Sequence, residues 1–192
     1  NDGIEVDEGG AGAQLLHQSV RKFYSYQGLN SDLTDSSNSF DVTNAALTAH
    51  TMGLAIDTPA ADIEDLIHYI RADGVYTPQT GSKKREWVLG DILHSRPAVL
   101  RDRNKNIIFV GANDGFLHCF EDNEGETYND LSDDSVTEEW CFIPWEQISR
   151  LHLLRSSSAH EYYIDGTPVL YRVNNDLYLT FGLRRGGVGY YT

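Results

Sequence analysis

The chain has 192 residues, 40% of them hydrophobic and 11% aromatic, with a formal net charge of −14. This apolar content supports a packed core and excludes a wholly disordered chain. The acidic excess argues against a nucleic-acid partner, because phosphate binding rests on Lys and Arg, and no apolar run approaches the ~20 residues of a membrane helix.

The chain starts at Asn1 and ends in the strand-like Tyr190-Tyr191-Thr192, so it reads as part of a longer protein. Residues 1–85 read as a helical and loop-rich region. Within it "VRKFYSY" suits a short strand, and "TNAALTAHTMGL" a short helix with Thr43 as N-cap. A clearer helix follows, with Thr58 as cap and Pro59 at its first position. Ile63, Leu66, Ile67 and Ile70 fall at i, i+3, i+4 and i+7 and make one apolar stripe. Gly74 is the expected stop, and "VYTPQTGSKKR" a basic connector.

From about residue 86 the period changes. "PAVLR", "NIIFVG", "FLHCFE" and "EWCFI" are short apolar or alternating runs separated by turn residues. Four strands joined in succession make an antiparallel meander. "IPWEQISRLHLL" reads as a short helix with Ile148, Leu151 and His152 inward. "GTPVLYRV", "DLYLTFG" and "GVGYYT" then begin a second set. "SRPAVLRDRNKNIIFVGANDG" runs parallel in design to "GTPVLYRVNNDLYLTFGLRRGG". This repeat points to a mainly β fold: one four-stranded antiparallel blade and part of a second, an incomplete β-propeller over residues 86–192. A twisted sandwich is the alternative.

Asn113-Asp114-Gly115 sits where a hairpin needs positive φ, which these residues tolerate; a ligand role for Asp114 is the other reading. Cys119 and Cys141 fall in consecutive strands. If they face each other across the pair, a disulfide is within reach; otherwise they are two free thiols in the core. Zinc is disfavoured, since His118 and Cys119 alternate faces and no Cys-x-x-Cys occurs. Asp102, Asn104 and Asn106 place oxygens at alternate positions, as calcium loops do. They lack the later bidentate acid, so a plain hairpin turn is preferred. Residues 121–139 hold nine acids and no Lys or Arg. Of these, Asp122, Glu124, Glu126, Asp130, Asp133 and Asp134 read as a solvated insertion, with weak divalent binding as the alternative. Trp87, Trp140 and Trp145 read as packing between blades.

Several motifs, in order, resemble one family. "WVLGDILHSRPAVL", "IFVGANDGFLHCF", "WCFIPWEQISRL", "HEYYIDGTPVL" and "LTFGLRRGGVGYYT" are similar to the strands that open the C-terminal propeller of PilY-type proteins, which assemble type IV pili and act as tip adhesins. "DGIEVDEGGAGAQLL" and "RKFYSY" resemble the stretch just before it. The resemblance implies a secreted, non-enzymatic protein of the cell surface that acts with minor pilins and with surfaces to which the pilus attaches. It implies no cofactor in these residues, although Ca2+ could be held elsewhere in the full-length protein. His94, His160, Asp165 and Gly166 fall in the family's motif positions and read as residues that hold turns. Family blades commonly carry Ala where Cys119 and Cys141 stand, and their joint replacement favours the cross-strand bond. A quinoprotein dehydrogenase, with propeller blades of similar cadence, is the alternative; quinone absorbance would distinguish it.

Overall fold

A computed structural model describes residues 10–18, 20–28, 30–72, 88–102, 105–123 and 135–192. The fold is mainly β, with two sheets and few helices. The boundary expected near residue 85, Gly74, the basic connector and Trp87 lie outside the described residues.

The N-terminal part contributes helix α1 (Gly10–His17), strand β1 (Phe23–Tyr26) and helix α2 (Ala60–Arg71). α2 carries the expected stripe, with Leu66, Ile67 and Ile70 buried and Ile63 packed at its edge. Its start is one residue later than expected. Pro59 is the N-cap and no side chain caps the helix. Its C-cap is Ala72 in a left-handed conformation, φ 50°.

The helix expected at Thr43 does not form; residues 41–51 are turns. Asp41 accepts the Thr43 N–H at 3.0 Å, and the Asn44 amide donates to the Ser37 and Ser39 carbonyls at 3.0 and 2.7 Å. Thr51 Oγ1 donates to the Ala46 carbonyl at 2.7 Å. Short polar side chains here take the backbone partners that a helix would need. Leu47 and Met52 are buried all the same.

The meander forms as read: β2 (Ala98–Asp102), β3 (Lys105–Gly111), β4 (Leu117–Asn123) and β5 (Ser135–Pro144), each antiparallel to the next. The short strand expected in "VRKFYSY" forms as β1, but its place was not anticipated: it adds to β5 in parallel, giving the order β1-β5-β4-β3-β2. After β5 a 3-10 turn, Trp145–Arg150, and helix α3 (Leu153–Ser156) replace the single helix expected. Ile148 and Leu151 are fully buried, as their spacing required, whereas His152, expected inward with them, is only half-buried. The second sheet is β6 (Val169–Val173), β7 (Asp176–Gly182) and β8 (Tyr190–Tyr191).

The repeat holds at the level of register. Ala98 pairs with Phe109 and Asp102 with Lys105 in the first sheet; Val169 pairs with Thr180 and Val173 with Asp176 in the second. Each pair lies one period beyond its equivalent, and the same 71-residue step separates His94 from Asp165. The match ends after Gly111 and Gly182, because Gly111 pairs with Leu117 whereas Gly182 pairs with Tyr190, across a longer turn.

The first sheet is covered on both faces. On one, Phe116, Cys141 and Ile143 pack with Phe23, Phe40, Met52 and the α2 stripe. On the other, Leu117, Trp140 and Phe142 meet Ile164, Leu179, Phe181 and Tyr191 near or within the second sheet. Trp140 packs on Phe109 of the same sheet at 5.9 Å and borders the cluster that reaches Phe181 of the second sheet, and Trp145 packs at the edge of the main core.

Candidate functional site

Asn113-Asp114-Gly115 does turn the chain between β3 and β4, with Gly115 at φ 110°. An added Cβ there would also meet Leu151 Cδ2 at 2.6 Å. Yet the turn does more than reverse direction. Asn113 and Asp114 are 4% and 2% exposed, unusually buried for turn residues, and both bind other segments. Asn113 donates its backbone N–H to the Asp91 carbonyl at 3.0 Å and its amide to the Asp91 carboxylate at 3.0 Å. Its Oδ1 accepts the Tyr163 N–H at 3.1 Å. Asp114 accepts the Gly90 N–H at 2.8 Å and the Phe116 N–H at 3.2 Å. One turn thus holds the strand entry at Gly90-Asp91 and the link into the second sheet at Tyr163.

Asp114 also begins a buried line of charges. His118 Nε2 lies 3.1 Å from Asp114 Oδ1, and His118 Nδ1 lies 2.6 Å from Glu138 Oε1. The Arg21 guanidinium donates to both Glu138 oxygens, at 2.6 and 2.9 Å, and to the Arg71 carbonyl at the end of α2, at 2.8 Å. The His118 and Glu138 side chains are fully buried and that of Arg21 nearly so. Burial by itself would depress the His118 pKa, but the Asp114 and Glu138 carboxylates outweigh it and push it up to about 9. Burial would raise Glu138, but His118 and Arg21 hold it below the usual carboxylate range. Two cations and two anions alternate, so the line is neutral as a whole. Such burial is tolerated only when each charge is paired and hydrogen-bonded.

A bulge makes this possible. The register of β4 on β5 shifts between Cys119 and Phe120, so Phe120 faces Glu138 while Cys119 faces Trp140. Glu139 is the extra residue, and the shift puts Glu138 and Cys141 on one face of β5 despite their odd spacing.

A second, more open cluster lies beside the first. His94 Nδ1 is 2.8 Å from Asp165, whose carboxylate is fully buried and also accepts from Arg184 at 3.2 Å. Thr167 Oγ1 accepts the Arg96 N–H at 3.1 Å. His160 Nε2 is 3.0 Å from Asp91. The Tyr162 ring lies between the two imidazoles, at 6.4 Å from His94 and 4.6 Å from His160. Gly166 and Gly111 permit the close approach that joins the sheets. An added Cβ would stand 2.1 Å from the Gly182 carbonyl oxygen at Gly166, and 2.2 Å from that of Ile164 at Gly111.

The structure therefore gathers His94, Asn113, Asp114, Gly115, His160, Asp165 and Gly166 at one end of the sheets. Asp102 and Asn106 lie at the opposite end, in the β2–β3 hairpin; Asn104 falls outside the described residues. Asp102 pairs with Lys105, and Asn106 donates to Asp122 at 3.2 Å. The rest of the acidic run, 124–134, is also outside the described residues.

The cross-strand disulfide is not formed. Cys119 and Cys141 are free and buried. Cys141 pairs with His118 and Cys119 with Trp140, one step apart, so the thiols point to opposite faces. Burial, then the charges of Glu139, Glu121 and Glu138, push the Cys119 thiol up to about 12, and burial raises Cys141 as well. Neither is a ready nucleophile. His118, Glu138 and Cys141 each place one ligand-type atom within 4.8 Å of the others. Arg21 and His118 already occupy the Glu138 carboxylate, and a cation there would meet the Arg21 charge, so the cluster is closed by ion pairs.

Sequence reading missed Arg21, Asp91, His118 and Glu138 as site residues. The signal for Asp91 was present, since it belongs to the same "GDILHS" motif as His94. Arg21 and Glu138 carry no such mark, being joined across 117 positions.

The chain is similar to curated proteins over part of its length. It is 28% identical to the type IV pilus biogenesis factor PilY1 homolog of Xylella fastidiosa, over 82% of this chain and 13% of that protein. It is 31% identical to the type IV pilus biogenesis factor PilY1 of Pseudomonas aeruginosa strain UCBPP-PA14, over 47% of this chain and 9% of that protein. The relationship is PilY1-like. The PilY1 of strain PAK is 26% identical over 56% of this chain. The aligned part spans only 9–13% of the length of these relatives. No family profile matches the chain, and no solved structure does.

Proposed function

We propose that this chain is a segment of a PilY1-like protein that supports type IV pilus biogenesis and attachment at the pilus tip, outside the cell. In this reading its two sheets are the opening blades of a β-propeller, and they bind and bear load without catalysing a reaction. One observation carries the proposal: the 71-residue step that sets both hairpins in the same register and bonds His94 to Asp165, in a chain similar to a PilY1 homolog over 82% of its length. A step at which residues of one repeat bond those of the next is how blades pack side by side. The pilus role rests on the named relatives, since fold does not by itself dictate function.

The partners are minor pilins, together with the surface to which the pilus attaches. Any Ca2+ used by the whole protein is held in a loop beyond these residues. The test is deletion of the whole gene followed by complementation. Loss of surface pili and twitching, restored by the wild-type gene and not by one encoding Asp114→Ala, is the expected result. Normal piliation in the deletion strain would refute the role. Quinone absorbance in the purified full-length protein would point to a dehydrogenase instead.

A further inference from the structure

β1 and β5 make the one parallel pair among the described strands. Phe23 to Tyr26 run beside Cys141 to Pro144. The contact reaches further than these four residues. The Cys141 N–H donates to the Lys22 carbonyl at 2.9 Å. The Gln18 side chain then copies a backbone rung: its Nε2 donates to the Glu138 carbonyl at 2.8 Å, and its Oε1 accepts the Glu138 N–H at 2.9 Å. Between these, Arg21 grips the Glu138 carboxylate with two bonds. The Arg21 and Arg71 guanidiniums each lie 4.6 Å from the centroid of the Phe23 ring. Gln18 and residues 20–26 are therefore fastened along β5 from Glu138 to Pro144.

Direction matters here. In a parallel pair the chain enters β1 at one end and leaves β5 at the other. Tension between the chain ahead of residue 18 and the chain beyond Pro144 slides the two strands along each other. Every rung is then loaded together. Tension applied to the ends that lie side by side, after Tyr26 and after Pro144, loads one rung at a time.

We propose that Gln18, residues 20–26 and β5 form a shear clamp, a force-bearing lock between the N-terminal segment and the first sheet. Gln18 and Arg21 are its side-chain rungs. The clamp is a property of strand direction and does not depend on the pilus reading.

Optical-tweezers pulling on the whole chain tests it. Handles at Gly10 and Ser158, both exposed, load the pair in shear once α1 has unravelled. Handles at Gly28 and Ser158 peel it from the Tyr26 end. The expected rupture force is several-fold higher in the first geometry. Gln18→Ala, at the far end from the peeling point, should lower the shear force and leave the peeling force unchanged; Arg21→Met should do the same more strongly. If Arg21→Met does not fold, the partly exposed Gln18 still decides the matter. Equal rupture forces in the two geometries, or a Gln18→Ala variant with unaltered shear force, would overturn the clamp.

Discussion

Replacing His118 by Gln removes the central cation of the buried charge line and leaves a polar side chain of similar reach. The effect should depend on pH with a definite sign. His118 ordinarily titrates at 6.5 and is pushed up to about 9 in the folded chain. The folded state thus holds the proton more tightly than the unfolded state. The resulting stabilisation is complete below pH 6.5 and is lost as pH rises through 9. At about 1.4 kcal/mol per pH unit, the interval from 6.5 to about 9 amounts to about 3 kcal/mol. Glu138 works in the opposite sense, because its carboxyl is held low. Its contribution is present above the ordinary carboxylate range and fades as pH falls through its lowered value. Urea unfolding at intervals from pH 6 to pH 9.5 measures both proteins. The wild type should lose about 3 kcal/mol more than His118→Gln over that range. Parallel curves would refute the assignment of His118 as a buried imidazolium.

Asp114→Ala should cost about 3 kcal/mol or more in the same assay at pH 7, since it takes from the buried His118 one of its two carboxylates and leaves the Gly90 and Phe116 N–H groups without their acceptor. Gly111→Ala puts a Cβ 2.2 Å from the Ile164 carbonyl oxygen, a backbone atom with no easy retreat; calorimetry should show destabilisation of about 1–3 kcal/mol. Phe181→Ala removes a buried ring from the packing between the sheets and should cost about 3–5 kcal/mol. Both thiols should resist alkylation in the native chain and react after denaturation. A mass two hydrogens lower before reduction would instead show that Cys119 and Cys141 are bonded.

Much of the β architecture was legible because it is local. Alternating runs and turn residues mark β2 to β5, and the matching "RPAVL" and "TPVLY" segments mark the second hairpin at its correct register. The motif residues His94, Asp114, His160 and Asp165 could be picked out, and their neighbourhood is real. The sequence assigns them to holding turns; that His94 reaches Asp165, His160 reaches Asp91 and Asp114 reaches Gly90 is set by segments remote in sequence. The Thr43 helix failed for a related reason: a capping threonine suggested it, and side chains of Asp41, Asn44 and Thr51 supplied competing partners.

The cysteines show the limit most sharply. That they lie in adjacent strands followed from the order of residues alone. Which faces they occupy followed from a register shift at Glu139, fixed by how β4, β5 and the helices pack together. Strand-forming character in "FYSY" likewise marked an extended segment without naming its neighbour. Periodicity and turn chemistry are short-range and sufficed for the strands and their repeat. The parallel seat of β1, the bulge and the Arg21–Glu138–His118–Asp114 line arise only when distant segments share one buried space and their charges must be satisfied there.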